Sequence, residues 1–87
     1  MSTEEDVYEK VNIYPNPTSS TVTVEIADDN FLGGTISIYD LSGKIQEKTL
    51  IESKKTLLHI TNKKGLYFVN IEKEGLSKSF KVLKYND

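Results

Sequence analysis

The sequence predicts an all-β domain, an antiparallel β-sandwich of about seven short strands. Three observations predict it. Short runs that alternate apolar and polar residues recur along the 87-residue chain, broken by turn formers roughly every eight to twelve positions. No stretch of useful length carries the 3.6-residue apolar period of an amphipathic helix. Finally, the chain closes on a hairpin whose two arms differ in character. Residues 65–71 place Leu66, Tyr67, Phe68, Val69 and Ile71 on both faces, which suits a strand buried on both sides. Residues 76–85 alternate instead, Leu76, Lys78, Phe80, Val82 and Lys84 against Ser77, Ser79, Lys81, Leu83 and Tyr85, as a half-exposed, lysine-bearing edge strand does. The turn between the arms falls on residues 72–75.

The other elements follow in chain order. Residues 1–6 have little to bury and read as a linker or an expression leader, with the domain proper over 7–87. Residues 7–14 alternate, Val7, Glu9, Val11 and Ile13 against Tyr8, Lys10, Asn12 and Tyr14, and form the first strand. Pro15-Asn16-Pro17 removes two backbone donors and ends it, and Thr18-Ser19-Ser20 completes a corner. Because Pro17 follows Asn16, this triplet is not a glycosylation acceptor. In residues 21–26, Val22, Val24 and Ile26 face a core while Thr21, Thr23 and Glu25 face water. A long connection carries Phe31 and Leu32 between Asp28-Asp29-Asn30 and Gly33-Gly34. Residues 35–39 and 44–50 are strands joined by Asp40-Leu41-Ser42-Gly43, the signature of a type I turn with a glycine bulge, so they are antiparallel neighbours. A polar loop over 51–56 leads to a short strand at 57–60, and 61–65 enter the final hairpin.

Composition narrows the function. The net charge of −2 divides into −7 over residues 1–42 and +5 over residues 43–87, and all eleven basic residues are lysine. Arginine does most of the bidentate reading of phosphate and guanine, so its absence argues against nucleic-acid recognition. There is no cysteine, hence no disulfide framework, no thiolate metal site and no cysteine nucleophile. No run approaches the ~18 apolar residues of a membrane span, and the first ten residues are acidic, unlike a signal peptide. Export therefore requires a signal upstream in a longer parent.

Catalytic and ligand motifs are weak. His59, the one histidine, sits between Leu58 and Ile60 as a strand residue with its ring at the surface. No Gly-x-Ser-x-Gly elbow accompanies the serines. Asp40-Leu41-Ser42-Gly43-Lys44 lacks the leading glycine and following helix of a phosphate loop. Asp28-Asp29-Asn30 offers oxygen ligands of the kind calcium takes but not the EF-hand spacing, so a solvated turn is the expectation. Tyr8, Tyr14, Tyr39, Tyr67 and Tyr85 read as exposed but ordinary sheet residues, without a sugar-stacking role. The chain is expected to be no enzyme and to need no cofactor or metal. Lys78, Lys81 and Lys84 have two readings: lysines that block uncontrolled strand pairing, or a docking signal read by strand addition and charge.

Four motifs occur in order: Tyr14-Pro15-Asn16-Pro17, Ile38-Tyr39-Asp40-Leu41-Ser42-Gly43-Lys44, Gly65-Leu66-Tyr67-Phe68-Val69 and Lys81-Val82-Leu83-Lys84. Together they resemble the type A C-terminal sorting domain of the type IX (Por) secretion system, over about residues 9–85. The resemblance implies an immunoglobulin-like sandwich at the C-terminus of secreted cargo in a Gram-negative bacterium. It further implies passage through the periplasm, recognition by an outer-membrane translocon, removal by a sortase-like peptidase, and release or attachment at the cell surface. Carried over by position, Pro15, Asn16 and Pro17, Asp40, Gly43 and Lys44, and Gly65, Leu66 and Tyr67 match motifs that set the fold. Lys78, Lys81, Val82, Leu83 and Lys84 on the last strand are the expected recognition residues. The leading expectation is a sorting signal fused behind a cargo domain, without nucleic-acid binding or membrane insertion. A non-catalytic carbohydrate- or protein-binding module of a secreted enzyme is the alternative, and a structural spacer a third possibility.

Overall fold

The computed structural model describes residues 11–27 and 31–86. Among them are seven strands and no α-helix: β1 (Val11–Tyr14), β2 (Thr21–Ile26), β3 (Thr35–Tyr39), β4 (Ile45–Leu50), β5 (Lys55–His59), β6 (Gly65–Lys73) and β7 (Leu76–Lys84). They make a three-stranded sheet in the order β1-β2-β5 and a four-stranded sheet in the order β4-β3-β6-β7. Every pair of neighbouring strands is antiparallel. The chain crosses between sheets after β2, β4 and β5, as expected of an immunoglobulin-like sandwich. Here the fourth strand pairs with the third, whereas a constant-type immunoglobulin domain leaves it on the other sheet. Of the expected first strand, residues 7–10 lie outside the described residues.

The alternation read from the sequence places the core. Val22, Val24, Ile26 and Leu58 of the smaller sheet pack against Ile36, Ile38, Val69, Ile71 and Val82 of the larger one, each at most 1% exposed. Burying a side chain of this size stabilises the fold by about 1.5–3 kcal/mol. Three buried residues come from the connections, where a strand pattern does not reach them: Phe31, Ile51 and Ile60. The polar loop expected over residues 51–56 is shorter than that. Ile51 is drawn inward by two backbone bonds, from its own N–H to Gly34 O and from Gly33 N–H to Ile51 O, both 2.9 Å. β5 then begins at Lys55. Gly34 is where the connection presses on β6: a Cβ built there would lie 2.5 Å from the Glu72 carbonyl oxygen.

The final hairpin is tighter than the sequence suggests. Glu72 and Lys73 look like turn residues but stay in the ladder, opposite Ser77 and Leu76. Only Glu74 and Gly75 turn, with φ of 50° and 86°, the pattern of a two-residue type I′ hairpin. On β6, Tyr67, Val69 and Ile71 point into the core while Leu66, Phe68 and Asn70 are half-buried. Tyr67, expected among the exposed tyrosines, is buried because its ring completes the core and its hydroxyl donates to Lys63 O at 2.6 Å.

Candidate functional site

β7 was expected to present an open, positively charged margin, and the structure corrects that picture in two respects. First, its outer edge is closed over residues 81–85. The Asn16 side chain lies alongside it as a strand would: Nδ2 donates to Lys81 O at 2.8 Å, and Leu83 N–H donates to Oδ1 at 3.0 Å. Thr18 continues the pairing as a parallel bridge to Lys84, its N–H donating to Leu83 O at 2.8 Å and its carbonyl accepting from Tyr85 N–H at 3.0 Å. The buried Thr18 hydroxyl donates to Thr21 O and accepts from Ser20 N–H, which fixes the corner. Pro15 and Pro17, both preceded by cis peptide bonds, flank Asn16 and carry no N–H of their own. The corner thus satisfies a strand edge 65 residues further along the chain.

Second, two of the expected recognition residues face inward. Val82 is fully buried, and Lys84 is only 4% exposed. Successive side chains of a strand point to opposite faces. Since Val82 belongs to the core, Lys84 follows it beneath the sheet. Its ammonium finds a partner there by donating to the carbonyl of Asn62. Lys78, Lys81 and Leu83 are exposed as expected.

The Asp40 turn takes the expected form. Gly43 N–H donates to Asp40 O at 3.0 Å and Asp40 N–H to Lys44 O at 2.9 Å. Gly43 adopts φ of 90°, a value that side-chain-bearing residues rarely accept. Asp40 Oδ1 accepts from the Ser42 hydroxyl at 2.7 Å, from Ser42 N–H at 3.0 Å and from Lys44 N–H at 2.9 Å. These donors, the Ser42 hydroxyl foremost, hold the carboxyl below the usual aspartate range.

A polar chain then links this turn to the end of β7. Gln46 Nε2 donates to Asp40 Oδ2 at 3.2 Å, Asn62 Nδ2 donates to Gln46 Oε1, and Lys84 holds the Asn62 backbone. Tyr67 anchors the neighbouring residue, Lys63. Gly65 and Leu66 open β6 beside the turn, where a shallow depression is lined by Asp40, Leu41, Ser42 and residues 64–67. Residues of all four sequence motifs therefore gather at one end of the sandwich. Thr18, Gln46 and Asn62 were not singled out from the sequence. For Thr18, a hydroxyl beside a turn proline was a usable sign, whereas the two amides gave none.

His59 is exposed, and its backbone N–H donates to Glu47 Oε1 at 3.1 Å across the seam between the sheets. Among the described residues no three His, Cys, Asp or Glu side chains gather as metal ligands would. The solvated turn expected at Asp28-Asp29-Asn30, in preference to a calcium site, lies outside the described residues.

Comparison with known families gives one match over nearly the whole chain: a family model described as "Secretion system C-terminal sorting domain" covers residues 12–85. A search of curated proteins gave no match.

Proposed function

Because the chain belongs to the secretion system C-terminal sorting domain family, we propose that it acts by being bound as a folded β-sandwich and performs no chemistry itself. It is a C-terminal sorting signal for type IX secretion, and it directs export to the cell surface or the extracellular space through the type IX machinery. The match supports this reading and not an accessory binding module.

The finer steps are as follows. A cargo domain precedes residues 7–87 in the parent protein, with residues 1–6 as linker or leader. The parent passes through the periplasm of a Gram-negative bacterium. An outer-membrane translocon binds the sorting domain, a sortase-like peptidase removes it, and neither step calls for a cofactor. Lys81 and Leu83 meet the partner; Lys78 is exposed but stands on the opposite face of the strand, the one on which Val82 and Lys84 hold it from within. Pro15, Asn16 and Pro17, Asp40, Gly43 and Lys44, and Gly65, Leu66 and Tyr67 shape the end of the sandwich that displays it. The observation that carries this reading is the family match over residues 12–85. The gathering of the other three motifs around residues 81–85 supports the choice of site.

The test is a fusion of residues 7–87 behind a passive reporter in a bacterium that has the type IX system. The expected result is reporter at the surface or in the medium, lost on deletion of residues 81–87. A reporter that stays in the periplasm while a known sorting domain exports it refutes the reading.

A further inference from the structure

We infer that the partner docks on the outer face of the four-stranded sheet, at the end formed by Ile45, Phe68, Leu66 and Leu83. The occupant is a protein surface of the export machinery with an apolar centre and an acidic rim. The inference rests on the sorting-signal reading and names the surface that reading leaves open.

Strand addition is closed to a partner along residues 81–85, because Asn16 and Thr18 already occupy that edge. The inward side chains there, Val82 and Lys84, are buried. What this stretch offers to solvent is its outward side chains, with Leu83 45% and Tyr85 60% exposed.

The strand register extends that offer across the sheet. Leu83 lies opposite Leu66, Lys81 opposite Phe68, Phe68 opposite Tyr39, and Tyr39 opposite Ile45, which is 45% exposed. Side chains facing one another on adjacent strands stand about 4.5–5.5 Å apart at Cβ, so these form a continuous apolar band. Leu41, 72% exposed, lines the same depression as Leu66 and extends the band onto the Asp40 turn.

The band stops abruptly. The next row on the same face reads Lys48, Ser37, Asn70 and Ser79, with both serine hydroxyls of Ser77 and Ser79 donating to Asn70 Oδ1. Beyond that row the face stays polar except for Leu50, 54% exposed and separated from the band by Lys48, so the apolar band is bordered as an interaction surface with a polar rim is. Among the described residues, the exposed charges bordering the apolar band are Lys44, Lys48, Lys64 and Lys81. Asp40, on the turn beside the band, has its oxygens engaged by Ser42, Lys44 and Gln46. A second copy would bring lysine rim against lysine rim, which is unfavourable, whereas an acid-rimmed partner meets it with opposite charge.

The experiment uses the same reporter fusion with Leu83→Asp and Ile45→Asp made separately. Leu57→Asp, at a residue 60% exposed on the other sheet, is the control. Thermal unfolding of each chain identifies any folding loss, and Leu83→Thr and Ile45→Thr replace an Asp variant that unfolds. The expected result is a fall in exported reporter of about ten-fold for the Leu83 and Ile45 variants, with Leu57→Asp exported as the parent is. Lys81→Glu shifts export in the same direction. Three results overturn the proposal: parent-like export of folded Leu83 and Ile45 variants while deletion of 81–87 still abolishes export; an equal loss from Leu57→Asp; or a dimer of the isolated chain that Leu83→Asp dissociates. The first of these leaves the sorting reading intact. An unexported parent chain refutes the sorting reading and this surface with it.

Discussion

Lys84→Ala separates an internal lysine from a docking charge. The side chain is 4% exposed and its ammonium donates to the Asn62 carbonyl. Truncation to Ala removes three buried methylenes, about 2 kcal/mol at roughly 0.8 kcal/mol each. It also removes a charge-assisted hydrogen bond worth about 1.5–3 kcal/mol. Relief of the buried ammonium's desolvation offsets part of this sum, leaving a loss of roughly 2–3 kcal/mol. In a domain of this size that lowers Tm by about 10–20 °C. Urea unfolding monitored by circular dichroism reads the same loss as a lower midpoint at unchanged slope. Lys81→Ala, on the same strand but exposed, is expected to cost under about 0.5 kcal/mol. If the two variants unfold together with the parent, Lys84 is a surface group and the burial argument is wrong.

Asn16→Ala removes two bonds to the β7 edge. It is expected to cost about 1–2 kcal/mol, since water replaces part of the loss at an exposed site, and to speed hydrogen exchange at the Leu83 amide; unchanged protection there contradicts the clamp. Asp40 has a folded-state pKa below its unfolded one, so its contribution is complete above the usual aspartate range and disappears as pH falls through the folded value. Stability should therefore drop on acidification below about pH 4, and Asp40→Asn should flatten that limb of the profile; an identical limb in both proteins refutes the assignment. Gly34→Ala places a Cβ 2.5 Å from Glu72 O and 2.9 Å from Lys73 Cβ. Because backbone must yield, a loss of about 1–3 kcal/mol is expected in denaturant unfolding, and a silent variant would show that the connection does not press on β6.

Much of the fold was legible because period two speaks for itself in β2, where Val22, Val24 and Ile26 all reach the core. The Asp40 turn was equally plain, since its chemistry is local and its hydrogen bonds span at most six residues. The final turn was read two residues too long because polarity at Glu72 and Lys73 imitates a loop, whereas their pairing is decided by the partner strand. Lys84 was misplaced for a related reason. Alternation assigned it to the face of Val82 and Phe80, but a lysine's charge argued for solvent, and only the carbonyl of Asn62 makes the buried position tenable. That carbonyl lies 22 residues away in sequence. Asn16 posed the hardest case, because nothing near it in the chain indicates that its amide stands in for a strand.

An outer strand that carries export information must be reachable without becoming a template for other chains. Unpaired edges invite strand addition by any extended segment, and an exported protein meets many such segments before it is fully folded. In β7 the two demands are met by different atoms. Backbone groups over residues 81–85 are taken up by Asn16 and Thr18, so the edge is spent inside the domain. Lys81 and Leu83 project from the sheet face into solvent, where the proposed partner would read side-chain shape and charge. The clamp reaches from the first corner of the chain to its last strand, and the Lys84 contact reaches from that strand to the loop before β6. The proposed docking face is consequently held in place by Asn16 and Thr18 from the first corner as well as by the last strand itself, an arrangement that exists only once the sandwich has closed.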